Sequence, residues 1–315
     1  MIQLTPHGDD DVPFIDCHHH IWEPHNTSHP WLTQEPQIPF RYGDYSTIRG
    51  PYLPEHYLRD IGKHRVAAHV TMEGEWDPSD PVGETRWLAG VFTSAPHYLG
   101  HVARAFLHHA DVQTILEGHA AYPFVKGIRH KPTAAASPDT IEHGVPGGLT
   151  DPAWRRGYAL LAQYGLHFEL QAPWWHAHEL LDLIAQCPDT PIVINHAFLP
   201  ADRSDAALSG WRSALRLAAT APNVTLKISG IGLPDRTWSL DDNAAIISDC
   251  LDAFGVDRCV FASNFPVDRL CGTFETIIGG YKQATAHLPT SDRHKLFCDN
   301  AARIYRLDLQ SIASE

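Results

Sequence analysis

Eight short apolar or β-branched runs recur along the chain, and most of them precede a segment whose apolar residues have helical spacing. The runs are Phe14–His20, Val66–Glu73, His101–Leu107, Phe124–His130, His167–Ala172, Pro191–Ala197, Val224–Gly230 and Cys259–Phe265. Strands that alternate with helices predict parallel strands joined by crossover connections. Eight such units favour a closed α/β barrel of the (β/α)8 class, the TIM barrel, in a single domain.

The segments between the runs support this alternation. Apolar residues recur at helical spacing in His176–Cys187 and Gly210–Pro222, and Asp242–Gly255 ends on a glycine suited to the position after a helix. An open, doubly wound sheet is the alternative fold. The usual nucleotide-binding form of that fold carries G-x-G-x-x-G or G-x-x-x-x-G-K-[ST], and neither motif occurs in this sequence.

One connection departs from the regular alternation. The segment His25–Pro54 is long and rich in proline and aromatic residues. It predicts a loop over the mouth of the barrel. The chain contains no linker and no internal repeat, so residues 1–315 are expected to form one barrel domain.

Composition limits the classes of partner. The formal net charge is −13 and no run of Lys or Arg offsets it, which argues against a nucleic-acid partner. No apolar run is long enough to span a bilayer, and the residues before Phe14 are too polar and acidic for a signal peptide. The six scattered cysteines indicate free thiols in the cytoplasm. A small-molecule substrate is expected, and a homo-oligomer is compatible with the sequence.

Polar and titratable side chains recur where the predicted strands end. They are His18, His20, Glu73, Arg129, His130, Gln171, His196, Asn264 and, just beyond the last strand, Asp268. The active site of a (β/α)8 barrel lies at the carboxyl ends of its strands. These side chains therefore predict the site.

The first strand carries three consecutive histidines. Successive side chains of a strand point to opposite faces, so His18 and His20 should share a face with Asp16 while His19 points away. Two histidines on one face suit a metal site. The alternative is a histidine-rich strand without such a role, in a chain with 22 histidines.

The other strand ends each allow two interpretations. His196 follows a run apolar enough to be buried on both faces, so it is either a core residue or a site residue. Arg129 and His130 suit a carboxylate or a lactone carbonyl, or else form a solvated loop. Glu73 competes with Glu75 for the site.

The aromatic pair Trp174–Trp175 follows the fifth predicted strand. It packs within its loop, or Trp175 forms a wall of the substrate pocket.

Five short motifs occur in an order that resembles a known family. They are D-x-H-x-H at Asp16–His20, GIRH at Gly127–His130, NH at Asn195–His196, SNFP at Ser263–Pro266 and N-A-x-R-x-Y at Asn300–Tyr305. Together they resemble the amidohydrolase superfamily and, more narrowly, its amidohydrolase-2 group of sugar lactonases and 2-pyrone-4,6-dicarboxylate lactonases. The resemblance implies a hydrolase that opens a lactone ring by water attack on the carbonyl carbon.

The resemblance also implies a divalent metal, zinc above all, held by His18 and His20 with His196. The superfamily places a metal-binding Asp on the eighth strand, where this chain has Asn264. An amide is a weaker ligand and takes no proton from water. Parts of the group work without metal, so the cofactor is zinc or none, and the general base would be His196, Asp268 or Glu73.

The expected mechanism follows from these residues. The three histidines hold zinc or frame the substrate carbonyl, Arg129 and His130 orient the substrate, and Asn264 donates a hydrogen bond to it. Asp268, or Glu73 in its place, activates water. The alternatives are a lactone isomerase, a decarboxylase of aromatic acids and a small-molecule binder without catalysis.

Overall fold

The computed structural model of the protein describes residues 12–24, 29–95 and 97–309. Its eight strands form one sheet, each parallel to the next along the chain. The strands are β1 Phe14–His19, β2 Val66–Met72, β3 Tyr98–Arg104, β4 Val125–Arg129, β5 His167–Leu170, β6 Ile192–Ile194, β7 Val224–Ile228 and β8 Cys259–Phe261. The expected (β/α)8 barrel is confirmed.

Backbone hydrogen bonds join the end of β1 to the segment after β8. The N–H of Asn264 donates to the His18 carbonyl at 2.7 Å, and the N–H of His20 donates to the Phe265 carbonyl at 2.7 Å. These bonds close the barrel at the end where the strands finish.

Helices surround the strands. The α-helices of the described residues are α1 Pro30–Thr33, α2 Pro54–Ile61, α3 Gly83–Phe92, α4 Val112–Ala120, α5 Pro152–Ala159, α6 Ala177–Gln186, α7 Asp205–Ala219, α8 Leu240–Phe254, α9 Phe274–Ala284, α10 Thr290–His294 and α11 Asn300–Ile304. The glycine expected after a helix caps α8, where Gly255 has φ +72°. Across residues 12–24, 29–95 and 97–309, no helix has the length and apolarity needed to cross a membrane.

Strand side chains divide between two apolar regions. Ile15, Val70 and Val260 belong to a cluster inside the barrel. Phe168 and Leu170 of β5 belong to the larger layer between the strands and the helices. This alternation explains why the strand runs are apolar almost throughout, since both faces are buried.

Strand bounds differ from the expected runs at several ends. β3 begins at Tyr98, three residues before the predicted start. Glycine weakens a strand, so Gly100 is a plausible place for a strand to break. In the structure Gly100 lies within β3, and its lack of a side chain leaves room for Lys126 and Val70, which a Cβ would meet at 3.2 Å. β6 and β8 are short, so His196 and Asn264 lie in the turns that follow them.

The first connection packs against the strand ends. Of the predicted loop His25–Pro54, residues 25–28 lie outside the described residues. Within the rest, Trp31 donates from Nε1 to the Gly74 carbonyl at 2.8 Å, after β2. Tyr42 donates from its hydroxyl to Asp268 at 3.0 Å, after β8. The segment 29–54 is thus attached to both sides of the barrel end.

Candidate active site

A cavity of about 250 Å³ opens at the carboxyl ends of the strands. Strand ends supply His20, Glu73, Arg129, Gln171, His196 and Asn264, and the segment 29–54 supplies Trp31, Phe40 and Arg41. The position agrees with the rule for this barrel class. Polar groups therefore face an aromatic wall across a small pocket.

The first strand orients its histidines through an irregularity. The pairing of β1 with β2 shifts register between Asp16 and His19. Asp16 accepts a hydrogen bond from the Tyr57 hydroxyl at 2.7 Å, and the His19 ring lies 4.4 Å from the Tyr57 ring, so both point outward. The expectation that Asp16 shares a face with His18 is wrong, because one extra residue in the strand turns Asp16 away.

Arg129 is held at the centre of the site by three elements. Its Nε donates to Glu73 Oε1 at 2.6 Å and its Nη2 to the Glu73 carbonyl at 2.8 Å. Its Nη1 lies 3.2 Å from Gln171 Oε1 and 3.4 Å from His18 Nε2. Burial alone would raise the pKa of Glu73, but Arg129 together with Arg104 and Lys131 outweighs it and holds that pKa below its usual range. The guanidinium is rigid and faces the pocket.

Two further histidines line the pocket as neutral rings. Burial, reinforced by the charge of Arg129, lowers the pKa of His20 well below its usual value, and burial and Arg41 do the same for His196. His20 Nδ1 lies 3.0 Å from the Met72 carbonyl. A carbonyl only accepts, so Nδ1 carries the proton and Nε2 is left as a free base.

Asn264 reaches the pocket from a strained backbone with φ +56°. Its Nδ2 donates to Asp268 Oδ1 at 2.7 Å, and the Tyr42 hydroxyl donates to the same oxygen. The bond to Asp268 uses one of the two hydrogens on Asn264 Nδ2, so the hydrogen bond from Asn264 to a substrate stays a prediction. Burial raises the pKa of Asp268 to about 6. Asp268 is fully buried behind Asn264 and does not line the pocket.

Two predicted site residues lie elsewhere. His130 Nδ1 accepts from the Leu107 N–H at 3.1 Å and from Trp154 Nε1 at 2.8 Å, and burial lowers its pKa to about 3. Being adjacent to Arg129 on the strand, it points to the opposite side. Trp175, after β5, donates from Nε1 to the Ala135 carbonyl at 3.0 Å, in the segment that follows β4. Neither side chain lines the cavity.

The structure adds residues that sequence reasoning did not select. Arg41 and the aromatic residues Trp31 and Phe40 come from the long first connection, whose path no periodicity indicates. Lys131 lines the pocket two residues beyond Arg129, paired with Glu75. Period-two alternation from Arg129 would have selected Lys131 in place of His130.

The histidines do not fit a divalent metal as they are arranged. The His18 ring lies 5.3 Å from that of His20 and 4.7 Å from that of His196. However, the guanidinium of Arg129 lies next to His18 Nε2 and is paired with the Glu73 carboxylate. A cation therefore occupies the place next to His18 where a metal ion would bind. Within residues 12–24, 29–95 and 97–309, no group of three or more His, Cys, Asp or Glu side chains is arranged to hold an ion.

Comparisons with known proteins agree with the barrel fold. An uncharacterized protein of Sinorhizobium fredii is 35% identical over 94% of this chain and 99% of its own length. The L-fucono-1,5-lactonase of Burkholderia multivorans is 35% identical over 93% of this chain and 96% of its own length. The crystal structure of an amidohydrolase of Burkholderia multivorans with bound zinc shares the fold, with a TM-score of 0.76, 23% identity and coverage of 94% and 99%.

A family model described as amidohydrolase, of the amidohydrolase-2 group, matches residues 15–307. The match covers all eight strands and each strand end that lines the pocket. The chain therefore belongs to the amidohydrolase family and is a hydrolase of that superfamily, similar to its lactonases.

Proposed function

We propose that the enzyme hydrolyses the lactone ring of a small polar substrate. The observation that carries the proposal is the buried ion pair of Arg129 and Glu73, whose Nε and Oε1 atoms lie 2.6 Å apart. This pairing fixes the guanidinium of Arg129 at the pocket. A cation fixed in a buried pocket stabilises the negative charge that forms when a carbonyl is attacked. The similarity to an L-fucono-1,5-lactonase supports a lactone as the substrate.

The reaction needs a proton acceptor, and His20 suits this role. Water attacks the carbonyl carbon and passes a proton to His20 Nε2, while the new oxyanion faces Arg129. The bond from the carbonyl carbon to the ring oxygen then breaks, and the imidazolium returns the proton to that oxygen. The hydrogen bond from His20 Nδ1 to Met72 keeps the ring in the required tautomer.

His196 frames the carbonyl from the other side of His18. Its Nδ1 lies 3.0 Å from Ser229 Oγ, which orients the ring. Asp268 does not reach the pocket and instead holds Asn264 in place. Glu73 is not free to act as the base, because its Oε1 accepts from Arg129 Nε and its Oε2 accepts from the Glu75 N–H.

No step of this proposal passes through a metal. We expect enzyme treated with a chelator, and free of zinc by elemental analysis, to keep its full lactone-hydrolysis rate. Loss of the rate on chelation, with recovery on addition of zinc, would contradict this part of the proposal and leave the lactonase reaction standing.

A panel of 1,4- and 1,5-lactones of sugars and of aromatic-acid lactones, followed by proton release, tests the function directly. We expect His20→Gln to lower kcat by about 100- to 10,000-fold, since general-base catalysis contributes that much. His130→Gln is the matched control, a buried strand-end histidine outside the pocket. It should keep kcat per folded molecule. Unchanged turnover in His20→Gln would contradict the assignment of the base.

A lactone isomerase is the second candidate, because Asn264 supplies no carboxylate to activate water and isomerisation needs only proton shuttling. Turnover in ¹⁸O-labelled water separates the two reactions. Hydrolysis places one labelled oxygen in the product carboxylate, whereas isomerisation places none.

The surroundings of the enzyme are part of the proposal. The six cysteines are free in the structure, which supports a cytoplasmic location. We propose a small molecule as its partner, and the acidic net charge supports no nucleic acid among its ligands.

A further inference from the structure

We propose that Arg41 binds a carboxylate of the substrate, so that the preferred substrates are lactones that carry one negative charge. This inference rests on the proposed lactone hydrolysis and extends it to the charge of the substrate. It concerns a residue of the segment 29–54, outside the strand ends.

The charges that line the cavity do not cancel. Three cations line it, namely Arg41, Arg129 and Lys131, against two carboxylates, Glu73 and Glu75. Arg129 is paired with Glu73 at 2.6 Å, and Lys131 is paired with Glu75. The neutral histidines add no charge. The side chains that line the cavity therefore carry one surplus positive charge, on Arg41, which complements a monoanion.

Arg41 has no carboxylate partner among the described residues. Its Nη2 donates to the Gly230 carbonyl, and its guanidinium carbon lies 4.5 Å from the centre of the Tyr42 ring. The charge of Arg41 lowers the pKa of Asp268, but no ion pair joins the two side chains, and Asp268 does not line the cavity. Arg41 is exposed, so its remaining N–H groups are open to solvent and available to a ligand.

The anchoring of Arg41 prepares it for this role. Because Gly230 and Tyr42 fix one edge and one face of the guanidinium, little rotational freedom is lost when a carboxylate binds. The guanidinium presents donors in a fork that matches the two oxygens of a carboxylate. A substrate with its lactone carbonyl at Arg129 would extend its carboxylate toward Arg41, along the wall formed by Trp31 and Phe40.

A matched pair of substrates tests the proposal. D-Glucaro-1,4-lactone and D-glucono-1,4-lactone differ only in a carboxylate or a hydroxymethyl group at the far end, and the D-galactaro and D-galactono lactones repeat the comparison. We expect wild-type kcat/KM to be at least about tenfold higher for the carboxylated member of a pair, as one charge-assisted contact supplies.

Variants assign that preference to Arg41. Arg41→Gln should raise KM for the carboxylated lactone and lower the ratio of kcat/KM for the carboxylated over the neutral lactone about tenfold or more. The ratio cancels any effect of Arg41 on the pKa of Asp268, because both substrates experience that effect equally. Arg41→Lys keeps the charge without the forked geometry of the guanidinium. Its KM for the carboxylated lactone should lie between those of the wild type and of Arg41→Gln. Arg236→Gln is the control for net charge, since Arg236 is exposed and paired with Asp242 outside the pocket. Arg236→Gln should leave kcat/KM unchanged for both substrates.

The outcomes separate this inference from the lactonase proposal. Turnover without preference for the carboxylated lactone, or an equal loss on both substrates in Arg41→Gln, overturns the role of Arg41 and leaves the lactonase intact. Calorimetric binding of D-glucaro-1,4-lactone that depends on Arg41, without turnover, supports Arg41 and overturns the lactonase. If the enzyme shows no turnover and no Arg41-dependent binding, both the lactonase proposal and the role of Arg41 are overturned.

Discussion

At the scale of single residues, Asp268 is a buried carboxyl group behind the pocket whose pKa lies near neutrality. It is fully buried, and its Oδ1 accepts from both Asn264 and Tyr42. Burial raises its pKa from 3.8 to about 6, although Arg41 and the two hydrogen bonds oppose the shift. The group that positions Asn264 and the segment 29–54 therefore titrates within the physiological range.

We expect an acid limb in the pH profile of kcat/KM near pH 6. Below that pH, Asp268 gains a proton, and the neutral carboxyl is a weaker acceptor than the carboxylate, so it holds Asn264 and Tyr42 less firmly. The neutral histidines titrate at lower pH, because burial lowers their pKa values. Asp268→Asn should abolish the limb. A profile that is flat from pH 5 to 8 in the wild type would contradict this assignment.

The limb would not arise from unfolding through this group. Since the folded-state pKa of Asp268 is raised, its contribution to stability is fully present below the unfolded pKa of 3.8 and is lost as pH rises through about 6. Acidification from pH 7 to 5 thus favours the folded state at this residue. Thermal unfolding measured at both pH values separates the effect on activity from that on stability.

Residue identity at the strand ends was predictable, and orientation was not. His20, Glu73, Arg129, His196 and Asn264 follow from the rule that barrel strands end at the site. His130 was selected because it is titratable and adjacent to Arg129. Its two hydrogen bonds to buried N–H groups depend on tertiary neighbours that no local pattern reveals.

At the scale of elements, the turn after β6 orients His196 by an unusual backbone. Four consecutive residues, His196 to Leu199, have φ between 51° and 62° and form a left-handed turn without glycine. Such a residue costs about 1–2 kcal/mol. Trp211 Nε1 donates to the Ala197 carbonyl at 2.7 Å and helps to hold the turn. The strained turn after β6 therefore carries a pocket residue, His196, as strained backbone at functional sites often does.

Gly230 completes this arrangement, and its replacement tests it. A Cβ on Gly230 would lie 2.5 Å from His196 Nδ1, and its φ is +55°. We expect Gly230→Ala to displace the imidazole and lower kcat about 10- to 100-fold, as small misplacements of site groups do. Lactone turnover and thermal unfolding measure the two effects.

Gly255→Ala is the matched control for Gly230→Ala. Gly255 also has positive φ, +72°, but nothing lies within 4 Å of its added Cβ. It should cost about 1 kcal/mol of stability and leave kcat unchanged. Equal losses of activity in the two variants would attribute the effect to backbone strain alone.

The order of the elements was more predictable than their bounds. All eight strands lie where apolar runs alternate with helical segments. The irregularity in β1 was not predictable, because D-x-H-x-H reads as plain alternation until the pairing with β2 is known. The segment 29–54 has no regular pattern, and its site residues were missed for that reason.

At the scale of the whole molecule, a buried ion pair lies inside the barrel. Lys227 of β7 donates from Nζ to Glu169 Oε2 of β5 at 2.7 Å, and both side chains are fully buried. The Tyr305 hydroxyl, from the C-terminal motif, donates to Glu169 Oε1 at 2.5 Å. Asn195 also donates to Glu169, which connects the pair to the turn that carries His196.

We expect Lys227→Met to destabilise the folded protein by about 3–5 kcal/mol, because it leaves the Glu169 charge buried without its partner. Urea denaturation gives the free energy of unfolding. The double variant Lys227→Met with Glu169→Gln removes both charges and should recover at least half of the loss. A double variant no more stable than the single one would contradict the role of the unpaired charge.

The join between β1 and the segment after β8 also has a consequence for synthesis. Asp16 accepts from the Ser263 N–H at 3.0 Å, so residues 247 positions apart in the chain join the strand that carries His20 to the turn that carries Asn264. Chains emerge from the ribosome with the N-terminal part first. His18 and His20 are therefore synthesised long before the residues beyond β8 that pair with the end of β1. We infer that ribosome-bound chains ending before Ser263 bind no ligand, whatever secondary structure they have gained.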